Sequence, residues 1–425
     1  MKPKKWDLIS LASIPLIMTL GNSMLIPVLP LMARELAITS LQVSMFITVF
    51  AVVAILLIPI AGYLSDRYGR KKVIVPSLII TGVGGAVSAL GAWLLKDGMA
   101  YWTIVGGRFL QGIGAAGAAP VVMPLIGDMF KRESEVSHGL GVIETSNTFG
   151  KVLSPVLGAA LGSVLWYLPF VSIPVFCAVS VLLVLFLVRS PKMKESPPKF
   201  AEFRKSVAAI FKQKGRWLYA IFAIGGICMF VVFGVLFYLS SNLEDTFGIT
   251  GITKGLILAI PTGALCLASY VTGKFIGSNK KRMKWVNFFA MVLVTASIFA
   301  IAWFDNIIFV IASLVLGGAG IGISLPCLDA LITEGIQKEQ RGTISSIYSS
   351  VRFVGVSLGP PVVSLLMGIS HSVLFLTIAG LSAFAALLTL VAIRPQEKNN
   401  KSSKPQPPRE RKNRVFVMHK REPAR

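Results

Sequence analysis

The stretch GYLSDRYGRKK, residues 62–72, decides the fold of this chain, because it places five charges between two long apolar runs. Similar runs of 19–27 residues recur from one end of the 425-residue chain to the other. A helix of about 20 apolar residues crosses the roughly 30 Å hydrocarbon core of a bilayer. The stretch is therefore predicted to be a loop between two membrane-spanning helices.

The composition is typical of a polytopic membrane protein. Of all residues, 54% are hydrophobic and only 14% are charged, whereas about a quarter of the residues of a soluble chain carry a charge. Lipid offers no hydrogen-bond partner to an open backbone, so the spans must be helices. The sequence predicts an all-α membrane protein with twelve transmembrane helices, at 8–32, 41–64, 73–95, 101–127, 138–163, 166–188, 217–240, 252–276, 285–303, 307–331, 343–369 and 371–393.

The net charge of +23 does not indicate a nucleic-acid partner, because the cations alternate with the spans. Of the 42 Lys and Arg residues, 36 fall in loops and tails on one predicted side, three on the other side and three within spans. This asymmetry is the positive-inside pattern of membrane proteins. We expect both termini to lie in the cytoplasm and the protein to lie in a bacterial cell membrane.

The chain also repeats itself. Pro120 and Asp128 in span four correspond to Pro326 and Glu334 in span ten, 206 positions later. Two such halves predict two pseudo-symmetric six-helix bundles around a central cavity, with a transport site at the midplane between them. The predicted domains are an N-terminal bundle (1–188), a cytoplasmic linker (189–216), a C-terminal bundle (217–393) and a basic, disordered cytoplasmic tail (394–425).

The opening stretch fits the pattern G-x-L-x-D-R-x-G-R-K, which resembles the loop after span two in the major facilitator superfamily. Glycine at position 69 tolerates the backbone angles of a tight turn, and glycine at position 62 permits close approach of two helices. The resemblance implies a gate on the cytoplasmic side that comprises Gly62, Asp66, Arg67, Gly69, Arg70 and Asp128.

Two further spans resemble the same superfamily. Span four contains RFLQGIGAAG, and the resemblance implies that its Arg108 takes part in proton coupling. Span five keeps the spacing of the antiporter pattern found in the exporters of the family, at Gly141, Gly150, Ser154, Pro155 and Gly158. Small residues at this spacing also favour tight helix packing. The resemblance implies efflux by a twelve-span drug/proton antiporter, with multidrug resistance as a possible outcome.

Charged residues inside spans are expensive and often functional. Glu144 and Lys151 lie on one helical face, and the repeat places Arg352 at a similar depth across the cavity. We hypothesise that Glu144 carries the exchanged proton and that the cations tune it or hold cargo; a static charge pair is the alternative. The candidates for proton coupling and substrate binding are Glu144, Lys151, Arg108, Arg352, Asn147 and Asp329.

Three cations against one clear carboxylate in the spans favour neutral or anionic amphipathic cargo, such as a drug, a phenolic metabolite or a siderophore. Aromatic side chains are available for stacking against it, at Phe46, Phe50, Phe149, Tyr238 and Tyr348. Two other functions remain open on the same fold, a nutrient uptake symporter and a lipid or glycolipid flippase. A receptor without transport is a further alternative.

The sequence does not predict an enzyme, and it predicts neither a cofactor nor a metal site. The four cysteines lie in spans without C-x-x-C spacing, and the chain has no phosphate-binding loop of the form G-x4-G-K-[ST]. An ion gradient is therefore the expected energy source, and the family resemblance favours protons. The expected partners are a small-molecule substrate, protons and membrane lipid, with no nucleic acid, and we expect a monomer.

Overall fold

The computed structural model describes residues 5–130, 133–188, 200–277, 279–304, 306–336 and 338–393. Within these residues the regular structure is helical, as the composition predicts, and no strand is present. The thirteen α-helices are α1 (Lys5–Ser23), α2 (Leu29–Glu35), α3 (Ser40–Tyr68), α4 (Arg70–Leu94), α5 (Asp97–Met129), α6 (Glu133–Val164), α7 (Leu168–Leu187), α8 (Phe200–Asp245), α9 (Gly251–Phe275), α10 (Lys280–Ile301), α11 (Ile307–Gly335), α12 (Lys338–Met367) and α13 (His371–Ala392).

Eleven segments of the described chain are long and apolar enough to cross a membrane, with α1 and α2 counted together as one. The remaining long helix, α6, has 32 residues and the length to span. Its interior contains Glu144, Asn147 and Lys151, which lower its hydropathy. The twelve predicted spans are therefore all present as helices, and the one that falls outside the eleven sufficiently apolar segments is α6, in which the sequence places the candidate proton carrier.

Two helices differ from the prediction. The first span is not one helix, because a 3₁₀ turn at Ile26–Val28 separates α1 from α2; Pro27 and Pro30 lack the backbone N–H that a continuous helix would use. Helix α8 begins at Phe200, so much of the predicted linker 189–216 is helical. Residues 189–199 and the predicted tail 394–425 lie outside the described residues.

The helix contacts repeat in the two halves. In the first half α4 packs on α5 and α7, and α1 packs on α6; in the second half α10 packs on α11 and α13, and α8 packs on α12. Between the halves, α3 packs on α12 and α6 packs on α9. In the sequence repeat α3 corresponds to α9 and α6 corresponds to α12, so the α3–α12 contact and the α6–α9 contact are equivalent. The pseudo-symmetry predicted from the sequence repeat is therefore present in the packing.

A lysine anchors the last helix of each half at equivalent places. Lys71 at the start of α4 donates to the carbonyl oxygens of Leu185 and Val188 at the end of α7, at 2.9 and 2.8 Å. Lys284 at the start of α10 donates to the Leu390 carbonyl near the end of α13, at 2.7 Å. The free carbonyls of a helix C-terminus favour such a cation. We call this side of the bundle, where α1 also begins, the inner side.

Candidate functional site

Four charged residues form a cluster at the interface of the two halves. Glu144 and Lys151 come from α6, Asp329 from α11 and Arg352 from α12. Lys151 interacts electrostatically with the other three, and so does Asp329. The structure thus brings together these four candidates and Asn147, which is hydrogen-bonded to Glu144, so five of the six predicted for coupling and binding lie together. The cluster has two cations and two carboxylates, so it lacks the excess of cations that the sequence suggested.

Asn147 fixes the position of Glu144. Its amide nitrogen donates to Glu144 Oε1 at 3.3 Å, and its oxygen accepts a hydrogen bond from Thr19 Oγ1 of α1 at 2.6 Å. The side chain of Glu144 is therefore held by a short chain of hydrogen bonds that begins on another helix. Thr19 was not a sequence candidate, because one threonine in an apolar span has no distinguishing pattern.

Arg352 lies against Tyr348, whose hydroxyl group has no hydrogen-bond partner among the residues described. Its guanidinium carbon is 5.6 Å from the centroid of the Tyr348 ring, which packs on Phe222 at 5.7 Å. The Tyr348 hydroxyl is buried and makes no hydrogen bond in the described part of the chain. A Cβ at position 225 would lie 2.8 Å from this hydroxyl, so Gly225 provides its space.

Lys151 also lines a pocket on the outer side of the charged cluster. The pocket lies between the turn at Ile26, α6, α8 and α9, so both halves contribute to it. Most of its walls are apolar, and its polar lining comes from Ser23, Thr262 and Lys151. The pocket and the cluster therefore share one residue.

Arg108 is separate from this cluster. It is fully buried, and its guanidinium donates to Asn22 Oδ1 at 2.6 Å, to Gln111 Oε1 at 2.5 Å and to the backbone oxygens of Phe46 and Gly21 at 2.7 and 3.2 Å. All these acceptors are uncharged and belong to the N-terminal half. The guanidinium also lies over the Phe50 ring at 4.5 Å. Arg108 is thus anchored within one half.

Ion pairs link helices of both halves at the outer side. Glu244 at the end of α8 forms ion pairs with Lys254 of α9 and with Arg34 of α2. The side chains of Glu244 and Lys254 are each only 3% exposed. Nearby, Ser240 Oγ donates to the Ile26 carbonyl at 3.0 Å. These contacts join α8 to the N-terminal half.

The residues of the opening stretch pair within the N-terminal half. Arg70 forms ion pairs with Asp66 at 2.5 Å and with Asp128 of α5 at 3.0 Å.

Gly69 joins α3 to α4 with φ 104°, the left-handed conformation that the turn required. Arg67 lies over the ring of Tyr68. A Cβ at Gly62 would lie 3.8 Å from Ser346 Oγ of α12, an ordinary contact distance and the nearest contact among the residues described.

The small residues of α6 pack on both neighbours. A Cβ at Gly150 would lie 3.1 Å from Thr19 Cβ, and one at Gly158 would collide with the backbone of Met24. On the side facing the C-terminal half, Gly255 of α9 approaches Pro155 so closely that a Cβ would lie 2.6 Å from its carbonyl oxygen. At Gly141, at the inner end of the same pattern, no atom of the residues described lies within 4 Å of an added Cβ. Ser154 Oγ donates to the Gly150 carbonyl at 2.5 Å.

Comparison with known families agrees with this architecture. The sequence model of the Major Facilitator Superfamily matches residues 11–360. The chain belongs to this superfamily. It is therefore a transporter and not an enzyme.

Relatives of this transporter include proteins with export functions. It is 55% identical over 388 residues to the bacillibactin exporter of Bacillus subtilis, which covers 91% of this chain and 95% of that protein. It is 24% identical to the multidrug efflux protein YfmO of the same species, over 88% of this chain and 89% of that protein. It is 25% identical to a class C tetracycline resistance protein of Escherichia coli, over 83% and 87% of the two chains.

A solved structure shares the fold of this transporter. The crystal structure of the human organic anion transporter MFSD10 superimposes with a TM-score of 0.71 and covers 92% of this chain and all of that chain. The two sequences are only 18% identical, so this likeness concerns the fold alone.

Proposed function

We propose that this transporter exports a siderophore of the bacillibactin type across the cell membrane in exchange for protons. The cargo is supported by the 55% identity to a bacillibactin exporter over nearly the whole length of both proteins. The observation that carries the mechanism is the charged cluster, to which α6 of one half and α11 and α12 of the other contribute. A site shared in this way changes its geometry when the halves move relative to each other.

In this proposal Glu144 and Asp329 are the groups that take up and release the proton. A carboxylate keeps its charge beside a cation and becomes protonated when burial separates it from cations and water. Movement of the halves changes the distances from these carboxylates to Lys151 and Arg352. In this exchange the carboxylates lose their protons on the inner side as cargo binds and take up protons on the outer side as cargo leaves, so cargo and protons move in opposite directions.

The orientation follows from the charge asymmetry of the loops, with both termini in the cytoplasm. The buried network of Glu244 and Lys254 closes the outer side. Toward the inner side Glu144, Asp329 and Arg352 remain partly exposed. The conformation described is thus suited to receive cargo from the cytoplasm, which is the loading step of an exporter.

The test uses everted membrane vesicles from cells that produce the full chain, with an acidic interior. Wild-type vesicles should accumulate bacillibactin, and a protonophore should abolish the accumulation. The variants Glu144→Gln and Asp329→Asn should reduce proton release during cargo uptake, whereas Glu35→Gln, at an exposed carboxylate, should not. If wild-type vesicles do not accumulate bacillibactin, the proposed cargo is wrong. If accumulation persists in the presence of the protonophore, the proposed exchange for protons is wrong.

A further inference from the structure

The turn from α9 to α10 on the inner side is rich in cations. Residues 274–284 contain Lys274, Lys280, Lys281, Arg282 and Lys284, and the sequence has no carboxylate anywhere in 246–304. Lys284 is the cation that donates to the Leu390 carbonyl. The other four cations, which we call the α9–α10 cation group, therefore have no carboxylate on their own two helices.

The equivalent turn of the first half contains more negative charge. There Arg70 is paired with both Asp66 and Asp128. In the second half Gly277 stands at the repeat position of Asp66, and Glu334 of α11 is the counterpart of Asp128. The α9–α10 turn thus has one more cation and one fewer carboxylate than the turn to which it corresponds.

Three members of the cation group occupy an unfavourable place on α10. Lys280, Lys281 and Arg282 form its first turn, in which there is no acidic residue. A helix N-terminus carries a partial positive charge, so cations there repel it. The side chain of Asn279 caps the helix by accepting from the backbone N–H groups of Lys281 and Arg282, at 3.0 and 3.2 Å. This cap adds no negative charge, and an anion from outside α9 and α10 would relieve the repulsion.

A line of exposed side chains runs from these cations along α10. Arg282, Trp285 and Phe289 follow the spacing i, i+3, i+7 and share one face of the helix. Arg282 is exposed, and Trp285 and Phe289 are 49% and 63% exposed. The two rings stack with centroids 6.0 Å apart. At 1.5 Å per residue, Trp285 lies about 4.5 Å and Phe289 about 10 Å deeper along the helix than Arg282.

We propose that this face of α10 binds an anionic phospholipid of the inner leaflet. The phosphodiester pairs with Lys280 and Arg282, and the start of the acyl chains lies against Trp285 and Phe289. The face changes from cationic to aromatic over the depth at which a phospholipid changes from headgroup to hydrocarbon, and tryptophan is typical of that depth. Cations near the inner leaflet attract anionic lipids. Because α10 contributes no residue to the charged cluster, the inference does not depend on the proposed cargo.

The test measures lipid affinity of the purified full-length protein by native mass spectrometry. The probes are phosphatidylglycerol and phosphatidylcholine with the same acyl chains. The wild type should bind phosphatidylglycerol at least about tenfold more tightly, as expected when two or more cations contact the headgroup. The double variant Lys280→Gln, Arg282→Gln should lose most of this preference. Trp285→Leu should weaken the binding of both lipids, because it removes a contact that the two lipids share.

A matched double variant separates this site from the general charge of the inner side. Lys72→Gln combined with Arg216→Gln removes two exposed cations of that side and should keep the preference. An equal loss in this control would overturn the assignment to α10. Equal affinity of the wild type for the two lipids would overturn the proposal without reference to any variant. Displacement of the lipid by equimolar glycerol 3-phosphate would overturn it as well, because it would indicate a site for free phosphate.

Discussion

Glu244 of α8 and Arg34 of α2 form an ion pair that joins the two halves of the transporter at its outer side. Glu244 is also paired with Lys254 of α9, and both of these side chains are buried. The pair with Arg34 exists only while α2 and α8 are close together. Opening of the outer side must therefore separate Arg34 from Glu244.

Replacement of Glu244 by Gln should favour the outward-open conformation. The change removes the ion pair between α2 and α8 and leaves Lys254 buried without its partner, a cost on the order of 3 kcal/mol to the closed state if opening of the outer side exposes Lys254 to water. A cysteine introduced at Ser23, in the lining of the central pocket, should therefore react faster with an external, membrane-impermeant labelling reagent.

The control is Asp245→Asn, because Asp245 is exposed and lies 3.6 Å from Arg34. Exposed ion pairs contribute less than about 1 kcal/mol. Equal labelling of both variants would contradict a closing role for Glu244.

Replacement of Asn147 by Ala should impair proton exchange more than cargo binding. It removes the link from Thr19 to Glu144 while it leaves Lys151 in place. We expect about tenfold slower proton release during cargo uptake in vesicles, with the Kd for cargo within about threefold of the wild-type value. Thr145→Ala is the matched control on α6, since Thr145 is exposed and, among the residues described, its hydroxyl donates to the Gly141 carbonyl alone. A parallel loss of binding and exchange would indicate that Asn147 contacts cargo.

Two glycines of the span-five pattern should respond differently to the same change. A Cβ at Gly158 collides with the backbone of Met24, whereas a Cβ at Gly141 meets no atom within 4 Å in the described part of the chain. Gly158→Ala should therefore destabilise the protein by about 1–3 kcal/mol through overpacking, measured as a lower thermal unfolding temperature in detergent. Gly141→Ala should keep the wild-type temperature. Equal unfolding temperatures for the two variants would show that close packing at Gly158 is not the reason for a glycine at that position of the span-five pattern.

Removal of the Tyr348 hydroxyl separates a functional role from a structural one. The group is buried without a hydrogen-bond partner in the described chain, so Tyr348→Phe should leave thermal stability unchanged or slightly raised. A fall in cargo affinity at unchanged stability would assign the hydroxyl to cargo or to a second conformation. A loss of stability would instead reveal a partner of Tyr348 in the resting protein. Phe222→Leu, in the same ring contact, controls for altered aromatic packing.

The sequence predicts the helices well, because the requirement for about 20 apolar residues is a local property of the chain. It also predicts the place of α6, since Glu144 and Lys151 are conspicuous in an apolar setting. The interruption of the first span at Ile26–Val28 depends on Pro27 and Pro30, which lack a backbone N–H. A prediction from hydropathy alone does not include this effect.

The pairing of charges was less predictable. Arg34 and Glu244 are more than 200 positions apart, and their spacing in the sequence does not predict a contact. Both lie near the ends of helices on the outer side, where most charged side chains are in contact with water. The joint position of Asp329 and Glu144 likewise depends on how two halves pack, which is a property of tertiary structure. The roles predicted for these residues in coupling and binding remain predictions.

The acceptors around Arg108 have a consequence for drug selectivity. An arginine side chain keeps its proton in proteins, and no described carboxylate neutralises this one. The N-terminal half therefore carries a fixed positive charge within the membrane, and its field extends far where the dielectric constant is low. A lipophilic dye with a permanent positive charge, such as ethidium, is repelled by this field, whereas an anion of the same size is attracted. Cells that depend on this transporter alone should remain sensitive to such dyes.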